Sequence, residues 1–131
     1  MSIRQDITPA DMQNIRQRFG YSPGVKVGTM LYIAGQVGRD AELNVIEGKE
    51  AQFAQAFENV KKVLTAAAAD FDQVVEMVTY HVDMGDLPLF IEVKSRYFRN
   101  PDRLPTWTAI TTPALAMPGL LVEIKCTACL E

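Results

Sequence analysis

Across residues 49–69 apolar side chains recur every three to four positions, whereas across residues 74–83 β-branched and aromatic types crowd almost every position. The first pattern predicts an amphipathic helix. Phe53, Phe57, Val60, Leu64 and Ala67 line one face, and Gln52, Gln55, Glu58, Asn59 and Lys62 lie away from it. The second predicts a strand, because stiff, bulky side chains suit a pleated, half-buried surface. Its alternation puts Val74, Glu76, Val78, Tyr80 and Val82 on one face, and Val75, Met77, Thr79, His81 and Asp83 on the other.

The remaining pattern fills in around these two. Thr8 as N-cap, Pro9 in the first helical position and Gly20 as a left-handed terminator mark a short helix with a Met12, Ile15, Phe19 stripe. Val25 and Val27, a Gly28-Thr29 turn and residues 30–34 read as a hairpin ending at Gly35, followed by a polar loop over 39–48. Asp86 is expected to cap a second main helix carrying Leu87, Phe90, Ile91, Val93 and Tyr97. Residues 106–112 and 120–130 are two more strands. The order predicts a two-layer α/β (α+β) sandwich: a mixed sheet with two main helices on one face, plus a short N-terminal helix. One domain over 1–131 is expected, with 1–20 as an N-terminal extension. The helices suffice for one face only. The other carries too many apolar side chains for water, which predicts that further subunits cover it.

Charge and rare residues then exclude several chemistries. A net charge of -3, with no basic stripe, argues against nucleic-acid binding. No apolar run reaches a membrane span and no secretory signal opens the chain, so a cytoplasmic protein without a membrane partner is expected. Cys126 and Cys129 are three apart on a strand and so point to opposite faces. With no second cysteine pair and His81 as the only histidine, they read as packing residues, and no metal site is expected. Glu123 is the carboxylate that stands out, flanked by "LLV" and Ile124. It reads either as a strand-edge carboxylate paired with a lysine, or as a pocket carboxylate whose pKa is raised by desolvation and which passes protons.

Three segments together carry a resemblance: "YSPGVKVGTMLYIAGQVG" from Tyr21, "QAFENVKKVLTAAAADFDQVVEMVTYHVDM" from Gln55, and "PGLLVEIKCTACL" from Pro118. The chain resembles the Rid/YjgF family, whose members hydrolyse reactive enamines and imines to ketone and ammonia and also carry the label endoribonuclease L-PSP. The resemblance implies a chorismate-mutase-like fold, a homotrimer whose three sheets form a central barrel, small-molecule clefts between subunits, and no cofactor. It implies that Tyr21 is the cleft tyrosine, that Gly35 and Gln36 belong to an "S-G-Q" segment read here as "AGQ", and that Glu123 is the catalytic-site glutamate. The arginine that grips a substrate carboxylate in the family falls at Trp107, and Ala109 follows on the same strand as a further substrate contact.

Indole has one neutral donor and cannot replace a bidentate guanidinium. The expectation is therefore a divergent deaminase. Glu123 and Tyr21 would manage protons, and Trp107 would stack on a flat, conjugated or aromatic-derived C=N substrate. The alternative is a non-catalytic trimer that binds a metabolite in the same cleft. Arg39, Lys94, Arg96 and Arg103 are the cations available to replace the missing charge.

Overall fold

The structure is a computed structural model and describes residues 3–131. Six strands form one mixed sheet in the order β1-β2-β3-β6-β4-β5. These are β1 (Arg4–Ile7), β2 (Gly24–Val27), β3 (Met30–Val37), β4 (Val74–His81), β5 (Thr106–Thr111) and β6 (Val122–Cys129). Three α-helices accompany them: α1 (Gln13–Phe19), α2 (Lys49–Ala66) and α3 (Leu87–Lys94). Among the described residues no helix is long and apolar enough to cross a membrane.

The element order contains two strand–helix–strand crossovers, with different outcomes. β4–α3–β5 gives adjacent parallel strands. β3–α2–β4 leaves a gap between its strands, and β6 fills it, antiparallel to both neighbours. The core lies between the sheet and α2 and α3. Phe53 and Phe57 of α2 meet Phe90 of α3 at ring-centroid distances of 5.6 and 5.3 Å. From the sheet, Leu31, Ile33, Met77, Val122, Ile124 and Cys126 point into that layer and are buried. The opposite face has no helix, and Tyr32 and Ile110 stand exposed there.

Several expectations change on contact with the tertiary structure. Residues 4–7 form an edge strand on β2, although RQDI has little β propensity; ladder pairing overrides it. Thr8 caps nothing. Its hydroxyl donates to Asp6 at 2.6 Å, and a 3-10 turn at Ala10–Met12 leads into α1. Gly20 does end α1 in the left-handed region, at φ 72°. Met12 and Ile15 are buried, but Phe19 is exposed, with the guanidinium groups of Arg18 and Arg39 over its ring.

On α2, Gln52 and Asn59 were expected on the polar side and are buried instead. The helix stops at Ala66, and Ala68 takes φ 57°, a left-handed conformation unfavourable for a residue with a Cβ. A bulge between Val74 and Glu76 shifts the β4 register, so Val74 joins Met77, Thr79 and His81 on the helix side. Asp86 makes no capping bond. It is buried and pairs with Lys49 at 2.7 Å, while Asp83 accepts the Gly85 N–H at 2.8 Å. Cys126 is buried and Cys129 partly exposed, both free, and burial pushes the Cys126 thiol up to about 12.

Candidate functional site

Gly35 explains how Glu123 is placed. Between Ile33 and Gln36 the β3–β6 register slips by one residue, a bulge in the middle of the ladder. Before the slip Ile33 opposes Cys126; after it Gln36 opposes Ile124 and Val37 opposes Glu123. The Glu123 side chain lies across the bulge. A Cβ on Gly35 would sit 2.6 Å from Glu123 Cδ, so any larger residue would push the carboxylate away. Glu123 is half-buried on the face without helices, beside Tyr80 of β4. No lysine pairs with it, and among the described residues it makes no hydrogen bond or ion pair. The strand-edge lysine pair is thereby corrected: the carboxylate is held by shape, with its oxygens left for solvent or a ligand.

On the other side of the bulge, Gln36 turns inward with Ile124 and donates to the Ala34 carbonyl at 3.1 Å. It borders a narrow void of about 20 Å³, shared with Tyr21, Arg39, Asn14 and Asn59. That volume suits about one water molecule, so no substrate-sized cavity lies here within a single chain. The Tyr21 hydroxyl accepts a long hydrogen bond of 3.4 Å from Arg39 Nη2. Tyr21, Gly35, Gln36 and Glu123 thus gather around one bulge, on its two sides, with no hydrogen bond joining Tyr21 to Glu123.

Trp107 and Ala109 lie elsewhere in the chain. β5 is an edge strand, separated from β6 by β4. Trp107 opposes Met77 and faces the helices, with its ring 5.9 Å from that of Phe90. Its indole N–H donates to Thr79 Oγ1 at 2.9 Å, and Thr79 is 2.7 Å from His81 Nε2. Thr79 and His81 Nε2 share one hydrogen bond, and the other ring nitrogen, Nδ1, is buried with no partner among the described residues. Burial lowers the His81 pKa, opposed in part by the nearby Asp86 charge. Ala109 opposes Thr79 on the same side as Trp107.

The four cations separate clearly. Arg96 pairs with Glu50 and Glu92 on the surface, and Arg103 donates to the Asp72 carbonyl. Lys94 rests over Trp107, 5.0 Å from its centroid, and burial lowers its pKa. Arg39 belongs to the Tyr21 side of the bulge.

Sequence reasoning missed the buried amides that hold this end together. Asn59 donates to the carbonyls of Val37 and Arg39, at 2.8 and 2.9 Å. Gln52 donates to those of Ile46 and Gly119 and accepts the Leu121 N–H. They lie seven apart on α2, two helical turns, and that spacing was the available signal.

A mixed sheet with helices on one face, and on the other a carboxylate with no partner among the described residues, defines a small two-layer α/β protein. The chain belongs to the Rid/YjgF family: the family described as Endoribonuclease L-PSP matches residues 12–130. It is 45% identical to a RutC family protein of Saccharolobus solfataricus over 61% of this chain and 65% of that one. It is 36% identical to a 2-iminobutanoate/2-iminopropanoate deaminase of Mus musculus, over 82% of this chain and 79% of that one. A solved structure of protein YjgH superposes with a TM-score of 0.88 at 29% identity, covering 97% of this chain and 96% of that one.

Proposed function

We propose that this chain is a divergent imine/enamine deaminase, working as a homotrimer with its clefts between copies. The substrate class is a small reactive C=N metabolite, conjugated or aromatic-derived, hydrolysed to a carbonyl compound and ammonia. The observation that carries the reading is the Glu123 carboxylate, laid over Gly35 on the uncovered sheet face with no partner of its own. Water adds to the C=N carbon, a proton passes to nitrogen, and the carbinolamine releases ammonia as the C=O bond forms. One carboxylate can accept the proton from water and return it to the departing nitrogen. Tyr21 lies on the other side of the same bulge, and edge strand β5, with Trp107 and Ala109, would line the cleft from an adjacent copy.

The test is ammonia release from an imine generated in the assay, with native protein and Glu123→Gln. The substitution keeps shape and removes the ionisable group, so turnover should fall by roughly 10²–10⁴ while stability changes little. Equal turnover in the two proteins would remove Glu123 from the mechanism. A second reading, a non-catalytic metabolite-binding trimer, is favoured by one observation: the only donor of Trp107 is already taken by Thr79, so the indole offers a substrate no charge and no hydrogen bond. Ligand binding in the cleft without turnover of any imine would select it. Light scattering that returned a monomer would count against both.

A further inference from the structure

We infer that Lys94 is a covalent modification site, whose amine condenses with small aromatic aldehydes to form a Schiff base beside the Trp107 ring. The inference is independent of the deaminase reading, because it concerns the helix side of edge strand β5 and asks nothing of Glu123 or Tyr21.

Lys94 is the last residue of α3, and its surroundings give its ammonium rings instead of acceptors. Nζ lies 5.0 Å from the ring centroid of Trp107 and 5.6 Å from that of Phe98. The turns after the helix hold Phe98 there: its N–H and that of Tyr97 both reach the Lys94 carbonyl. The carbonyls just before it have donors too, Ile91 from Ser95 N–H, Glu92 from the Ser95 hydroxyl and Val93 from Arg96 N–H. Nearby charges are committed elsewhere. Glu50 and Glu92 pair with Arg96, Asp86 pairs with Lys49, and Glu58 lies by the Tyr97 hydroxyl. On the facing strands, Met77, Thr79, His81, Trp107 and Ala109 bring no carboxylate. Among the described residues Lys94 has no ion pair.

Other lysines are placed differently. Lys49 and Lys62 are paired, with Asp86 and Asp11 at 2.7 and 2.8 Å, while Lys61 and Lys125 are exposed. Lys94 is half-buried, and burial lowers its pKa. Ring faces attract an ammonium, but they give it no hydrogen bond in place of the water it has lost. The neutral amine loses less in such a place, and it is the nucleophile. Its nitrogen adds to the carbonyl carbon. The hydroxyl of the resulting carbinolamine leaves with the remaining N–H proton as water, and a C=N bond joins lysine to the former aldehyde. An aromatic aldehyde suits this place best, because its flat ring, once bonded to Nζ, lies within reach of Trp107 and Phe98.

The experiment exposes the full-length native protein to benzaldehyde or butanal with cyanoborohydride, whose hydride adds to the C=N carbon and fixes the adduct. Peptide mass mapping follows every lysine from neutral to alkaline pH, and reads the chain's α-amine, itself reactive near neutrality, as a separate peptide. At neutral pH benzaldehyde should mark Lys94 about threefold or more faster than any other lysine. Each unit of lowered pKa raises the neutral fraction about tenfold, and the weaker base gives back part of that as a weaker nucleophile. The preference should shrink toward alkaline pH, where all lysines become neutral, and should be smaller for butanal. Trp107→Leu and Phe98→Leu each return water to the amine, so Lys94 labelling at neutral pH should fall severalfold toward that of Lys26. If one ring variant does not fold, the other carries the comparison. Lys94→Arg should remove the rapid phase and leave the remaining lysines at their native rates. Four results would each overturn the inference: even labelling of all lysines, a preference unchanged at alkaline pH, equal preference for butanal, or native Lys94 rates in a folded ring variant.

Discussion

The two faces of one sheet handle polar side chains in opposite ways. On the helix side, Thr79 and His81 are fully buried, and with Trp107 they form a hydrogen-bonded row packed against Phe90. On the open side, Glu123 and Tyr80 lie opposite each other, and the carboxylate has no partner among the described residues. The strands are the same and their alternation is the same. What differs is water. A neutral row can be closed off once its donors find acceptors, whereas a lone carboxylate is tolerable only where solvent or a ligand reaches it. Polar residues on the closed face therefore serve packing, and the carboxylate on the open face stays accessible to solvent or a ligand, as the proposed function requires.

The sharpest way to break this contrast is Gly35→Ala. The backbone there is not left-handed, and the nearest atoms to the new methyl are Oε2, Cδ and Cγ of the flexible Glu123 side chain. Unfolding midpoints should move little, while turnover should fall two to four orders of magnitude, toward that of Glu123→Gln. Unaltered turnover would mean that the carboxylate works from another position. On the closed face the expected effects are on stability. Phe90→Ala removes the ring shared by Phe53, Phe57, His81 and Trp107 and should cost about 3–5 kcal/mol in denaturant unfolding.

Asn59→Ala tests the link between the faces. It strips the carbonyls of Val37 and Arg39 of their donor and should cost about 1–3 kcal/mol. The smallest effect is a pH dependence. Burial lowers the His81 pKa below its ordinary 6.5, so the unfolded chain binds the proton more readily. This contribution to stability is fully present above pH 6.5 and is lost as pH falls from there through the folded value. Urea midpoints of native protein should decline over that interval more steeply than those of His81→Gln. Identical slopes would show that another group dominates.

Helix α2, the β2–β3 hairpin, both crossovers and the uncovered face are legible in periodicity, because a 3.6- or 2-residue repeat of apolar side chains is a local record of which side is buried. Opposite faces for Cys126 and Cys129 follow from the same rule. Glu123 stands out by its apolar flanks and Gly35 as the end of a hairpin, but Tyr21 and Gln36, and the grouping of all four, come only through the family resemblance, since nothing in their spacing joins them. The burial of Gln52 and Asn59 contradicts a plain helical wheel. Their amides are buried because carbonyls from two distant loops arrive there needing donors, and no local pattern records that.

By itself, then, the chain's own pattern determined the main elements apart from edge strand β1, their order and the need to cover a second sheet face. Only the tertiary structure decided which polar groups meet. One-residue bulges in β3 and β4 exchange faces partway along a strand, placing Val74 inside and seating Glu123 across Gly35. Side-chain alternation carries no information about where such a slip falls. The orientation of Trp107 was undecided for the same reason. A strand has two faces, and which of them β5 turns toward α3 depends on its parallel pairing with β4, a contact made through the fold rather than along the sequence.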